Sequence, residues 1–157
     1  MRQTYGAECV LEEAVMEIET SLFGKIQVSD EEIIDFPEGL IGLPDLKRFV
    51  LIEDEEKKPF QWLQSLDNVK LAFVVIEPKW LVPDIVFDIS EDLAASLEID
   101  SPENYQALAI VTIPEDPQLM TANLKGPLLF NPDVRKAAQI VSDDLPIQFR
   151  ILDAAES

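Results

Sequence analysis

At 157 residues the chain is long enough for one domain that buries roughly 70% of its unfolded surface. Its 31 acidic residues against 12 basic ones give a formal net charge of −19, which disfavours nucleic-acid phosphates and anionic membranes and favours basic protein partners. Histidine is absent, removing the commonest general base and metal ligand, while 47% hydrophobic content argues against global disorder.

Residues 1–15 lack a strand pattern and are read as an N-terminal extension, with Met16 as an alternative start. Glu8, Glu12 and Glu13 interrupt any apolar signal core. Cys9 is the single cysteine, so it makes no internal disulfide and has no histidine base. No apolar run reaches membrane-spanning length, and a cytoplasmic location follows by elimination. The folded domain is expected over 16–152, with 153–157 as a polar tail.

Thr20 to Val28 reads as a strand pair around Gly24, with Leu22, Ile26 and Val28 as apolar positions. After Ile33, Ile34 and Phe36, the stretch Pro37 to Pro44 holds two glycines and two prolines and marks a turn-rich loop. Phe49 to Ile52 reads as a buried strand, and Glu53 to Lys58 as a solvated hairpin end. In Pro59 to Leu66, Phe60, Leu63 and Leu66 recur at spacing three, which predicts a short helix begun by proline. Leu71 to Ile76 reads as a central strand, and Pro83 to Ile89 as another because it alternates. Ser90 is the expected N-cap of a helical turn to Leu97, with Glu91 and Asp92 at its positive end. Tyr105 to Ile113 and Leu128 to Phe130 read as strands. Asp133 to Ala138 reads as a helical turn, and Pro146 to Leu152 as a last strand.

About nine or ten short strands with brief helical insertions suit an antiparallel sandwich or barrel. The fold class is therefore mainly β: a compact antiparallel β-barrel-like single domain. There is no phosphate-binding glycine loop, no Ser/His or Cys/His pair and no zinc spacing. Asp30-Glu31-Glu32 and Asp143-Asp144 lack calcium-loop spacing. A two-carboxylate hydrolase is conceivable by counting alone, but no pair stands out among 31 carboxylates. No enzyme, cofactor or metal is expected.

The loops carry the remaining information. Asn123 and Asn131 bracket Gly126-Pro127 and an apolar strand. Such asparagines lock turns, or they hold a rim that meets a partner. Trp62 lies off the Phe60 face, and Trp80 sits between Pro78 and Pro83. Both are candidate interface anchors, with ordinary packing as the alternative.

From about Glu17 to Leu152 the chain resembles the flagellar assembly factor FliW family. The resemblance is carried in order by Phe23-Gly24, Phe36-Pro37-Glu38-Gly39-Leu40-Ile41-Gly42-Leu43, Pro59 to Ser65, Pro83 to Phe87, Thr112-Ile113-Pro114, Thr121 to Asn131, Gln139 and Arg150. Leu43 and Ile85 stand where the family commonly has aromatics. The resemblance implies a β-barrel-like fold and a cytoplasmic, non-enzymatic protein. It also implies two alternative partners, flagellin and the RNA-binding translational regulator CsrA. Flagellin capture would leave CsrA free to repress, and release of flagellin would free the factor to relieve that repression. A chaperone that protects flagellin only is the competing reading. The expected flagellin groove comprises Leu40, Ile41, Leu43, Trp80 and Phe130, with core packing as the alternative for Leu40 and Phe130. Glu53, Asp54, Glu55 and Glu56 are the expected CsrA contacts, Asn123 and Asn131 the expected rim. A monomer is expected when no partner is bound.

Overall fold

A computed structural model describes residues 15–101 and 104–152. Among them run the strands β1 Val15–Thr20, β2 Gly24–Ser29, β3 Ile34–Asp35, β4 Arg48–Glu53, β5 Gln61–Ser65, β6 Ala72–Ile76, β7 Gln106–Thr112, β8 Thr121–Ala122, β9 Leu128–Asn131, β10 Lys136–Gln139 and β11 Phe149–Arg150. A short helix, α1, covers Glu91–Ser96, with the Ser90 hydroxyl accepting from the Leu93 amide at 3.1 Å as its N-cap. The expected extension at 1–15, except Val15, and the tail at 153–157 lie outside the described residues. Among the described residues no helix is long and apolar enough to cross a membrane.

Seven strands close into a barrel in the order β9, β10, β3, β4, β5, β6, β7, with β7 pairing back onto β9. Closure leaves these strands no exposed edge in the ring. Every neighbour is antiparallel except β10 beside β3, a parallel seam at Lys136↔Asp35. β8 continues along the β7 edge beyond β9, and β11 pairs with β8. The mainly β barrel expected from strand spacing is thus the observed fold, with one parallel seam added.

Alternation along β4 explains how the molecule layers. Phe49 and Leu51 point into the barrel with Leu63, Val75, Leu108 and Leu128. Val50 and Ile52 point outward and pack under the β1–β2 hairpin with Val28, Ile18 and Ile26. Phe49 and Leu63 are both fully buried, and each such burial is worth roughly 2–3 kcal/mol. Gln64 also points outward and is buried. Its Nε2 donates to the carbonyls of Ser65, Val69 and Leu71 at 2.9, 3.2 and 3.1 Å, locking the turn between β5 and β6.

The expected helix at Pro59 to Leu66 is instead β5. Its three spaced apolar residues serve three clusters: Phe60 packs with Ile76 and Leu124, Leu63 enters the barrel, and Leu66 packs with Val28. Pairing on both edges, with β4 and β6, outweighs the local spacing. Pro83 to Ile89 forms no strand either. It is a second layer, with Phe87 packed on Leu97 and Leu129 over the outside of the barrel, and its alternation reflects burial against that layer alone. The expected helical turn at Asp133 to Ala138 stops early. The Arg135 amide bonds the Asn131 carbonyl at 2.9 Å, Arg135 takes φ +58, and Lys136 begins β10. The last strand shrinks to Phe149–Arg150.

Candidate functional site

The strand registers separate two ends of the barrel. Glu53 pairs with Gln61 at one end, and Phe49 pairs with Ser65 toward the other. The connections after β4, β6 and β9 lie at the first end. The loop before β4, those flanking β8 and the one after β10 lie at the second.

At the first end, Asp54 opens a tight turn, Glu55–Lys57, by accepting from the Glu56 amide at 3.0 Å. The turn is short enough to hold Glu53, Asp54, Glu55 and Glu56 exposed in a row. Glu53 accepts from the Gln61 carboxamide, and Glu55 meets Lys58 at 3.2 Å with both side chains well exposed, a pair that contributes little to stability. Beside this turn lies a groove of about 610 Å³, floored by Leu22, Phe23, Ile52 and Trp62. Phe23, from the β1–β2 hairpin tip, meets Trp62 edge-on at 6.0 Å and 83°. Thr20 shapes that tip, its hydroxyl donating to the Gly24 carbonyl and accepting from the Phe23 amide, both at 2.9 Å. Across Glu53 a second groove of about 390 Å³ runs to Pro59, Glu77 and Trp80. Trp80 is 62% exposed at the end of the turn Pro78–Trp80. The acidic turn and Trp80 therefore share one surface, and Glu53 lines both grooves.

At the second end, Leu40 and Leu43 bond each other's backbone at 3.2 and 2.8 Å. Gly39 makes that turn possible: at φ +69, a Cβ would fall 2.5 Å from the Pro44 carbonyl oxygen. Leu40 drops into the core, while Ile41 (59%) and Leu43 (40%) remain exposed. Asp67 anchors the base of this loop, its Oδ2 accepting from the Lys47 and Arg48 amides at 2.7 and 2.9 Å. Burial pushes the Asp67 pKa up, but those amides and the Arg48 guanidinium outweigh it and hold it below the usual carboxylate value. Gln139 joins this loop to the next. Its Oε1 accepts from the Ile41 amide at 2.8 Å and its Nε2 donates to the Gly126 carbonyl at 2.9 Å. Asn123 closes the neighbouring turn, accepting from the Lys125 and Gly126 amides at 3.0 and 2.9 Å.

Phe130 is buried inside the barrel, beneath the Arg135 guanidinium at 4.9 Å. Arg135 also donates to the Glu32 carbonyl at 2.7 Å. Asn131 is buried too. Its Nδ2 donates to the Leu97 and Glu98 carbonyls at 2.7 and 3.1 Å, and its Oδ1 accepts from the Asp133 amide at 3.0 Å. Leu40 and Phe130 are thus in the barrel core, Asn131 is buried under the end of α1, and Asn123 bonds within its own turn. Ile41 and Leu43 are exposed at one end; Glu53 to Glu56 and Trp80 are exposed at the other. Sequence reasoning gave no part to Leu22, Phe23 and Gln139 as site-forming residues. The hairpin tip at Gly24 was the available signal for the first two. A lone glutamine gives none.

No three acidic or cysteine side chains converge as a metal cluster among the described residues. Asp30 to Glu32 form a tight turn in which Glu32 accepts from the Ser29 amide at 3.0 Å.

The seven-stranded barrel strapped by a hairpin is a fold that a solved structure shares. A crystal structure of the flagellar assembly factor FliW matches with a TM-score of 0.78 at 28% identity, covering 86% of this chain and 94% of that one. The family model for FliW protein matches residues 17–151. The flagellar assembly factor FliW of Syntrophus aciditrophicus is 40% identical over 143 residues, covering 90% of each chain. That of Leptospira interrogans serovar copenhageni is 44% identical over 128 residues, covering 81% of this chain and 85% of the relative. The chain belongs to the FliW family.

Proposed function

We propose that this protein is a cytoplasmic, non-enzymatic regulator of flagellum assembly, monomeric when free, that binds flagellin and alternatively CsrA. The observation that carries the reading is the acidic turn Glu53–Glu56 set around apolar grooves, on a chain of net charge −19. An RNA-binding regulator must be basic to hold phosphates. An anionic surface therefore steers it into encounter, and once docked opposes RNA through space without filling the RNA site. Flagellin is bound differently, by an amphipathic helix laid on exposed apolar residues, for which Trp80, Ile41 and Leu43 are the available side chains.

The test is RNA release. Adding this protein to CsrA on a flagellin leader transcript is expected to free the RNA in a gel-shift assay, and adding flagellin is expected to restore the complex. Retention of the RNA at saturating protein removes the CsrA arm and leaves a flagellin chaperone.

A further inference from the structure

Between Ile85 and Ile89 the chain alternates strictly: Ile85, Phe87 and Ile89 turn toward the barrel, while Val86, 80% exposed, and Asp88 face solvent. This is the side-chain arrangement of a β-strand, yet among the described residues no strand pairs with it. Among the described residues, the amides of Val86, Phe87, Asp88 and Ile89 and the carbonyls of Ile85 to Ile89 have no hydrogen-bond partner. A cleft of about 380 Å³ lies along the segment between Ile85, Phe87 and Ala107. A second, of about 310 Å³, is lined by Val86, Phe87 and Ile89; Tyr105 lines both. The far wall of the first cleft is β7 where it runs past the end of β6, which pairs with β7 only from Ala109 onward, beside the turn that carries Pro78 and Lys79.

We propose that residues 85–89 are a docking strand that receives an extended, basic peptide segment of another protein by strand addition. Unpaired backbone groups supply the ladder, and the two clefts receive alternate side chains of the newcomer. Charge selects the occupant. Pro83 to Asp92 carries four acidic residues and no basic one, and the clefts add Glu77, Asp100 and one cation, Lys79, which is ion-paired to Glu77 at 3.3 Å. A segment alternating Lys or Arg with apolar residues is therefore complementary to the net negative charge. A second copy of this chain would set the same carboxylates against each other. The chain's own ends are also mismatched, because residues 1–14 hold three glutamates against one arginine and residues 153–157 hold two acids and no base. The proposal is independent of the flagellin and CsrA reading.

The probe is a capped heptapeptide alternating lysine and valine, titrated into the full chain and followed by amide hydrogen exchange. The expected result is saturable binding with exchange at residues 86–89 slowed about tenfold or more, the signature of new backbone bonds. N-methylation of alternate peptide residues is expected to weaken binding about tenfold, because it removes ladder donors while keeping charge and side chains. The paired substitution D84K/D88K is expected to weaken it similarly. Absence of saturable binding overturns the proposal. So does binding that survives N-methylation or leaves exchange at 86–89 unchanged, which would be charge adhesion alone.

Discussion

Gln139 holds the backbone of Ile41 from 98 positions away, accepting its amide at 2.8 Å. The same carboxamide donates to Gly126, so one neutral side chain sets the spacing between two loops and keeps Ile41 facing solvent. Gln139→Ala is expected to lower stability by about 1–2 kcal/mol in urea unfolding and to speed hydrogen exchange at the Ile41 amide. Unchanged exchange there would mean that the loop is held by the Leu40–Leu43 backbone pair alone.

Asn131 ties the end of α1 to the β9–β10 turn through two donated bonds and one accepted bond. Asn131→Ala leaves buried carbonyls without partners and is expected to cost about 2–3 kcal/mol. Asn131→Asp, which keeps shape but loses both donors, should be at least as damaging. A loss under about 0.5 kcal/mol, within the range of ordinary surface changes, would show that water replaces the side chain.

Phe23 covers one edge of Trp62. In a Trp80→Phe background, which leaves Trp62 as the reporter, Phe23→Ala is expected to red-shift the fluorescence. The lost pair should cost about 1 kcal/mol beyond the area exposed. An unshifted spectrum would place Trp62 under other atoms.

Asp67 gives a pH signature. Its folded pKa lies below the usual aspartate value, so its stabilisation is fully present above that ordinary value and is lost as pH falls through the folded one. Asp67→Asn is expected to cost about 1 kcal/mol at pH 7, the low end for charge-assisted bonds because the carboxylate is partly solvated. The difference from the parent should shrink as pH falls from 7 past the ordinary aspartate value and through the folded one. A constant difference across that range would contradict the assignment.

The two partners should separate by mutation, although the acidic turn and Trp80 share one surface. Reversing Glu53, Glu55 and Glu56 to lysine is expected to weaken CsrA binding about tenfold or more, and raising salt should weaken it in parallel. Flagellin affinity should fall instead with Trp80→Ala and Ile41→Ala. If those two leave both affinities intact, the apolar assignment fails.

The legible parts of the fold are those in which one strand face meets one layer. β4, β6 and β7 carry β-branched runs, β9 is a short apolar run, and Gly24 marks the hairpin. β5 was hidden because Phe60, Leu63 and Leu66 serve three separate clusters, so their spacing imitates a helix. Residues 83–89 imitate a paired strand because burial under a second layer produces the same period. In the candidate site, the acidic turn and Trp80 could be read from charge and loop composition. The burial of Leu40, Phe130 and Asn131 could not, since loop apolar and amide residues look alike whether they face a partner or the core. Gln139 was invisible as a coupling residue because its partners lie 98 and 13 positions away.

Calorimetric titration with CsrA, repeated after preloading with flagellin, decides whether the two partners exclude each other. Saturable binding of CsrA to the free protein and none to the flagellin complex is expected. Undiminished CsrA binding to the preloaded protein, or no CsrA binding at all with flagellin still bound, would contradict the partner switch.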